Sequence, residues 1–269
     1  MIFNLSMPVL KPKGPTASLT AQSGITYTNG ISGISAEKMS LYAELISNNA
    51  SITNKTSVVY IDDGANHYKV SIGDQVTLSL NGTNYAFDVI GFNHDTLTTS
   101  TAYGANTKTG KAGITFQMQD LFATYYPMNS SNTNSGGWKN SAMRTSTMAT
   151  MKSYLPSAWQ AVIKPVNKTS GTGGGSTSGT ETVSDSCFLL AEIEMFGSTT
   201  YSVSGEGTQY AYYKAGNSKV KNMSGSASHW YERSPRSGYT QDFCMVSKYG
   251  DASASNGTLR PGVAFGFCV

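Results

Sequence analysis

HWYERSPRSGYTQDFCMVSKYGDASASNGTLRPGVAFGFCV, residues 229–269, is the stretch around which the rest of the chain is organised. Framework pieces, WYERSP (230–235), Phe243-Cys244 and the closing GVAFGFCV (262–269), alternate with segments that hold Tyr, Ser, Asp, Asn, Arg, Gly and Thr in no periodic order. Antibody loops use these residue types for contact. Tyr supplies large rigid area, while Ser, Gly and Asn supply adaptable hydrogen bonds. The stretch reads as a displayed binding surface and not as a catalytic site.

Composition bounds the class. A chain of 269 residues can bury a sizeable core. Only 13% of residues are charged, yet 39% are hydrophobic and 11% aromatic, so the chain is not a disordered one. Ser, Thr, Asn and Gly carry the polar share, as in extracellular or virion β-rich proteins. The net charge of +3, with no Lys/Arg run, argues against a nucleic-acid partner. No segment approaches ~18 consecutive apolar residues, so membrane insertion is not expected. The opening MIFNLSMPVLKPKGP lacks the pattern of a secretory signal. Synthesis in a bacterial cytoplasm and release within a phage particle reconciles that opening with the outward-facing composition. Cys187, Cys244 and Cys268 read as buried thiols, with a Cys244–Cys268 bridge open if their strands are neighbours.

Upstream, residues 1–35 read as an extended arm or terminus, and residues 35–49 as a helix. Ser35 is its candidate N-cap, and Lys38 stands where a capping box wants Glu. Met39, Tyr42, Leu45 and Ile46 share one face, suited either to self-association or to packing on the chain's own domain. From residue 57 the alternation is β. Asn81-Gly82 between two alternating runs predicts a type I′ hairpin. His94-Asp95 reads as a structural pair fixing the loop after that strand. A helix over roughly 140–155 carries Met143, Met148, Met151 and Leu155 on one side, as core filling, and Pro156 stops it. Ser157 is a candidate cap for a short helix that follows, and Lys164–Ser170 a candidate strand. SGTGGGSTSGTETVSD (170–185) reads as a surface loop, because no Lys-Ser/Thr follows its glycines. CFLLAEIEMFG (187–197) reads as a buried strand with Glu192 and Glu194 on one face, more suited to pairing with Arg144 or Arg233 than to catalysis.

The ordered set GFNHDTL, GITFQMQDLF, GGWKNSAMR, LPSAWQAVIKPVNK, CFLLAEIEMFG, GEGTQYAYY, WYERSP and GVAFGFCV resembles an uncharacterised domain family common in gut bacteria and their phages. That family belongs to the C-type-lectin-like, formylglycine-generating-enzyme-like fold group, and the likeness covers about residues 57–269. It implies an α+β, C-type-lectin-like fold with irregular antiparallel sheets and two main helices. The arm and short helix of residues 1–56 would precede it and serve virion attachment or oligomerisation.

The tail also resembles the variable region of retroelement-diversified proteins such as the phage major tropism determinant, in which randomised template adenines vary the encoded residues. Tyr231, Arg236, Tyr239, Asp242, Ser247, Tyr249, Asp251, Ser253, Ser255, Asn256, Thr258, Leu259, Arg260 and Pro261 fit such a set, and all of them but Pro261 are the expected ligand-binding residues within 229–261. Trp230, Arg233, Ser234, Pro235, Phe243, Cys244, Val246, Gly250, Val263, Phe265 and Phe267 suit a scaffold, whereas Gln241, Met245 and Lys248 depart from the set. The resemblance implies a virion adhesin or receptor-binding protein, a homotrimer held to other virion proteins by its arm, that binds a host cell-surface protein or glycan. A structural decoration protein is the alternative. The Glu-Pro-Asn and Gln-Pro-Asp signatures of calcium-dependent lectins are absent, and Cys244 and Cys268 have apolar neighbours. No ligand-binding metal, cofactor or catalytic residue is therefore expected, a structural ion is left open, and enzyme activity of the formylglycine-generating kind is disfavoured.

Overall fold

The computed structural model of the chain describes residues 14–103 and 108–269, so the opening MIFNLSM lies outside the described residues. Two short strands, β1 (Thr16–Ser18) and β2 (Thr28–Asn29), precede helix α1 (Ala36–Ser47). The Ser35 hydroxyl accepts the Lys38 N–H at 3.3 Å, the N-cap the sequence predicts. Met39, Tyr42 and Ile46 are fully buried in the chain's own core, and Leu45 is half-buried at its border. Of the two uses open to that stripe, packing on its own domain is the one observed. Strands β3 (Val58–Asp62) and β4 (His67–Ser71) complete a four-stranded sheet in the order β1-β3-β4-β2. Residues on both sides of position 57 thus share one sheet.

Strands β5 (Gln75–Leu80) and β6 (Thr83–Phe92) form the predicted hairpin. Asn81 (φ 47°) and Gly82 (φ 85°) both take the left-handed conformation that a type I′ turn requires. After β7 (Ile114–Met118) comes α2 (Gly137–Asn140), then a π-helical turn (Met143–Thr147) that runs into α3 (Met148–Tyr154). The single helix expected over 140–155 is thus divided, but Met143, Met148, Met151 and Leu155 are buried as expected. Pro156, and not Ser157, is the cap residue of α4 (Ser157–Val162).

Two segments differ from their sequence reading. Strand β8 (Val166–Gly171) turns through Gly173, Gly174 and Gly175, all at positive φ, into β9 (Thr180–Asp185). Residues 170–185 are therefore mostly a hairpin. TETVSD carries no legible strand period, because its outward residues are polar and its inward ones, Glu181, Val183 and Asp185, include a single apolar side chain. The run 187–197 holds only a two-residue strand, β10 (Cys187–Phe188), before α5 (Glu192–Phe196) begins. Glu194 Oε2 accepts the Ala191 N–H at 3.0 Å at the helix start, and Gly197 (φ 75°) ends the helix.

The chain closes with α6 (Ala211–Lys214), β11 (Lys221–Met223), β12 (Ser226–Ser228), β13 (Trp230–Pro235), β14 (Asp242–Val246), β15 (Ala252–Asn256) and β16 (Gly266–Cys268). The last strand inserts between β10 and β7, giving an antiparallel five-stranded sheet ordered β10-β16-β7-β6-β5. Phe116, Phe267, Phe87 and Trp159 interlock there at ring separations of 5.4 to 6.1 Å. The fold is therefore α+β with several antiparallel sheets, and no helix among the described residues is long and apolar enough to cross a membrane. All three cysteines are free and buried. Cys244 and Cys268 lie in different sheets, so no bridge joins them.

Gly113, just before β7, marks the closest approach of α1 to the central sheet: a Cβ there would stand 1.9 Å from the Ala43 carbonyl oxygen. Backbone cannot yield as a flexible side chain can, so Gly113→Ala should push α1 off the sheet. The expected loss is about 1–3 kcal/mol or more by urea unfolding. An unchanged midpoint would show that α1 packs more loosely than this contact requires.

Candidate ligand-binding surface

The terminal sheet, β13-β14-β15, is antiparallel throughout. Cross-strand partners share a face. Trp230, Val246 and Ala252 lie together on one face, with Cys244 and Ala254. Tyr231, Met245 and Ser253 lie on the other, with Phe243 and Ser255. All six residues of β13 are buried, whereas all five of β15, at the sheet edge, are half-buried. Trp230 is fully buried, as its scaffold assignment predicts, with its indole N–H donated to the Lys219 carbonyl at 3.0 Å.

The residues expected to bind ligand divide by exposure. Tyr239, Tyr249, Asp251, Thr258, Leu259 and Arg260 are exposed, and Arg236, Asp242, Ser253, Ser255 and Asn256 are half-buried. Tyr231 and Ser247 are not displayed, and neither is Pro261 of the wider set. Tyr231 is fully buried because it sits on the innermost strand; its hydroxyl donates to the Asn256 carbonyl at 2.7 Å, with the Leu259 carbonyl at 3.2 Å. It holds the 256–260 turn from beneath. The Ser247 hydroxyl is buried as the acceptor for the Tyr249 and Asp251 N–H groups, and Pro261 is buried where the chain returns to the core. Arg236 is held ready: its guanidinium lies 3.5 Å from the Tyr239 ring centroid and 3.0 Å from Asp242 Oδ2.

A groove of about 420 Å³ opens on this surface, lined by Tyr125, Ser228, His229, Met245, Ser255, Leu259, Arg260 and Pro261. Ser255, Leu259 and Arg260 belong to the expected set; Tyr125, Ser228, His229 and Met245 do not. Strand alternation along Cys244-Met245 could have flagged Met245, but nothing local links the Tyr125 loop to residues 228–261. The large apolar side chains exposed among the described residues are Leu19, Tyr125, Val220, Tyr239, Tyr249 and Leu259. All but Leu19 border this region, Val220 by its contact with Gly250.

Beneath the surface lies a buried ionic network. The Lys168 ammonium, 1% exposed, donates to Asp95 Oδ1 (2.7 Å), Glu194 Oε1 (2.8 Å) and the Tyr210 hydroxyl (3.0 Å). Arg233, fully buried, donates through both terminal nitrogens to Glu194 and also to the carbonyls of Leu189, Thr169 and Glu206. Burial works to raise the pKa of Asp95 and Glu194, but Lys168 beside Asp95, and Arg233 with Lys168 beside Glu194, hold both below their ordinary values. Asp95 therefore does more than fix its own loop. It reaches Lys168, Thr115 and Tyr210 across the fold. Arg233 is the expected partner of Glu194, whereas Arg144 pairs with Asp185 at 2.7 Å and Glu192 accepts the N–H groups of Tyr201 and Ser202.

His94, Asp95 and Glu194 offer ligand atoms within 4.8 Å of one another. The Lys168 ammonium already stands between the two carboxylates, and with the Arg233 guanidinium on Glu194 two positive charges face the two negative ones. Burial pushes the thiol pKa of Cys187 up to about 12, and those of Cys244 and Cys268 well above the ordinary value, which leaves no activated thiol nucleophile.

Against known proteins, the sequence model of the family described as "Domain of unknown function (DUF6273)" matches residues 112–265, more than half of the chain. The matched region runs from the approach to β7 through the whole displayed sheet. No curated protein and no solved structure matches the chain.

Two stability predictions follow from the network. Lys168→Met leaves Asp95 and Glu194 without their shared cation and should cost about 3–5 kcal/mol in chemical denaturation; a loss under about 1 kcal/mol would mean that the pairing is not worth its burial. Glu232 is fully buried, and neither carboxyl oxygen has a hydrogen-bond partner. Burial, with Glu192 and Glu206 nearby, pushes its pKa well above the ordinary 4.5. The folded chain then holds a proton that the unfolded chain releases, so this group's contribution to stability is present below pH 4.5 and falls as pH rises toward the folded value. Glu232→Gln should match the wild type near about pH 5 and exceed it at about pH 8 by about 1–3 kcal/mol. Parallel pH–stability curves for the two proteins would contradict this.

Proposed function

The chain belongs to the DUF6273 family, whose description carries no activity, and we propose that in this member the domain is a scaffold for a displayed binding surface. One observation carries the proposal. Apart from Tyr231 and Ser247, the residues expected to bind ligand reach the surface, while of their interleaved scaffold partners Trp230, Arg233, Ser234, Pro235, Phe243, Cys244, Val246, Val263, Phe265 and Phe267 are buried and Gly250 is half-buried. A surface that can change its contact residues while keeping its core needs this separation, because loops on a rigid support can vary without unfolding the support.

On this reading the domain is C-type-lectin-like and the protein is a phage virion adhesin, or receptor-binding protein, with a surface diversified by a retroelement. Its ligand is a molecule on the host cell surface. Tyr239 and Tyr249 supply rigid contact area, and Arg236 and Arg260 supply anchors of the kind that dominate interface energetics. One such face binds weakly. Display as a homotrimer, in many copies on a particle, raises the effective concentration of the second and later contacts.

Two measurements test the proposal. Labelled protein should bind intact cells of some members of a panel of gut bacteria. Tyr249→Ala and Tyr239→Ala should each weaken that binding by about tenfold with an unchanged unfolding midpoint, and Leu19→Ala, away from the face, should change nothing. Binding that survives both tyrosine substitutions would place the contact elsewhere. Sequencing the locus in related genomes should find substitutions concentrated at the exposed and half-buried positions of 236–260, with Tyr231, Ser247 and Pro261 constant. Substitutions spread evenly over the chain would defeat the diversification reading.

A further inference from the structure

Resting on that binding role for the terminal sheet, we infer that the groove beside Arg260 takes a protein loop that presents an apolar side chain next to a carboxylate. Its walls are supplied by Tyr125, Met245, Leu259 and Pro261. Tyr125 and Leu259 are 45% and 51% exposed, so both have apolar area still to cover. Met245 forms part of the groove through a half-buried, unbranched side chain, which can adjust to the shape of what enters.

Arg260 sets the charge of the ligand. The chain has four arginines, and three of them are committed to carboxylates: Arg144 to Asp185 at 2.7 Å, Arg233 to Glu194, and Arg236 to Asp242 at 3.0 Å. Arg260 alone makes no ion pair among the described residues, and no Asp or Glu lines the groove. A guanidinium offers a planar fork of donors that matches a carboxylate in two parallel hydrogen bonds. An exposed arginine at the mouth of an apolar groove is therefore a ready counterpart for Asp, Glu or a chain terminus flanked by an apolar residue.

The same lining disfavours a sugar. A sugar ring brings several adjacent hydroxyls, each a donor and an acceptor, and each must exchange its water for a protein partner when buried. The groove offers the hydroxyls of Ser228, Ser255 and Tyr125 and the His229 ring, whose Nδ1 already accepts the Lys248 N–H at 3.3 Å. No side-chain amide or carboxylate is present to receive hydroxyl protons. Tyr, Met, Leu and Pro walls would strip water from hydroxyls without replacing it, whereas they reward an apolar side chain.

The test uses the full chain against two probes in parallel, a displayed library of short random peptides and an array of bacterial and host glycans. The expected result is enrichment of peptides in which Asp or Glu adjoins an apolar residue. A selected peptide should then bind Arg260→Glu at least about tenfold more weakly than wild type, and its counterpart with Lys in place of the acid should prefer the Arg260→Glu variant. Met245→Ser should weaken the same peptide while leaving its preference for an acid intact. Selected peptides that lack an acid, or that bind Arg260→Glu and wild type equally, would overturn the inference while leaving the binding role in place. Glycans retained by an Arg260-dependent contact, with no peptide enriched, would do the same and identify the sugar class instead. Retention of neither probe, together with failure to bind intact cells, would count against the binding role itself.

Discussion

The alternation of charge through Asp95, Lys168, Glu194 and Arg233 is the constraint on which the rest of the structure depends. These residues come from the loop after β6, from β8, from α5 and from β13, elements far apart in the chain. Taking four charges out of water is expensive, and the cost is offset only when each is paired and its remaining hydrogen-bonding capacity is filled. Lys168 uses three donors on Asp95, Glu194 and Tyr210, and Arg233 spends its remaining N–H groups on backbone carbonyls. Such a network tolerates one arrangement and penalises near misses. It therefore acts as a register mark that sets the terminal sheet against the central one.

Specificity of this kind suits a scaffold whose outer residues are free to differ. β13 is buried along its whole length and tied through Arg233 and Ser234 to the interior, the latter by a hydroxyl donated to Glu206 Oε2. β14 and β15 are then laid outward from a fixed strand. Tyr231 and Ser247 hold the two turns from inside, through bonds to backbone carbonyls that every residue supplies and N–H groups that every residue but proline supplies. Side chains at positions 239, 249, 251 and 258–260 can change with little consequence for those bonds. Glu232 departs from this pattern of pairing, and its unpartnered carboxyl ties the stability of the sheet to pH.

Much of the architecture was legible because it is local. Asn81-Gly82 specified its turn through the φ values both positions need, Ser35 its cap, and the Met143, Met148, Met151 stripe its buried side. Segments whose character depends on distant partners were not. TETVSD pairs as β9 because β8 is there to receive it, and residues 192–196 coil into a helix whose glutamates are satisfied by Arg233 and by the Tyr201 and Ser202 amides. Among the surface residues, the alternation of framework and polar positions in 229–261 carried most of the division into buried and displayed. It failed at Tyr231 and Ser247, because residue type cannot say whether a hydroxyl faces water or holds a turn.

By itself the sequence determined a mixture of helices and strands with a hydrophobic closing segment, a capped N-terminal helix and a polar, Tyr-rich set interleaved with a hydrophobic framework. These follow from period, turn chemistry and composition, which act over a few residues. Only the tertiary structure decided that Lys168 is the cation between Asp95 and Glu194, that Tyr125 joins Met245 and Arg260 around one groove, and that Arg260 is the arginine left without a carboxylate. Each of those is a meeting of residues remote in sequence. Burial and pairing energies select such meetings once the chain has closed, and no local pattern records them.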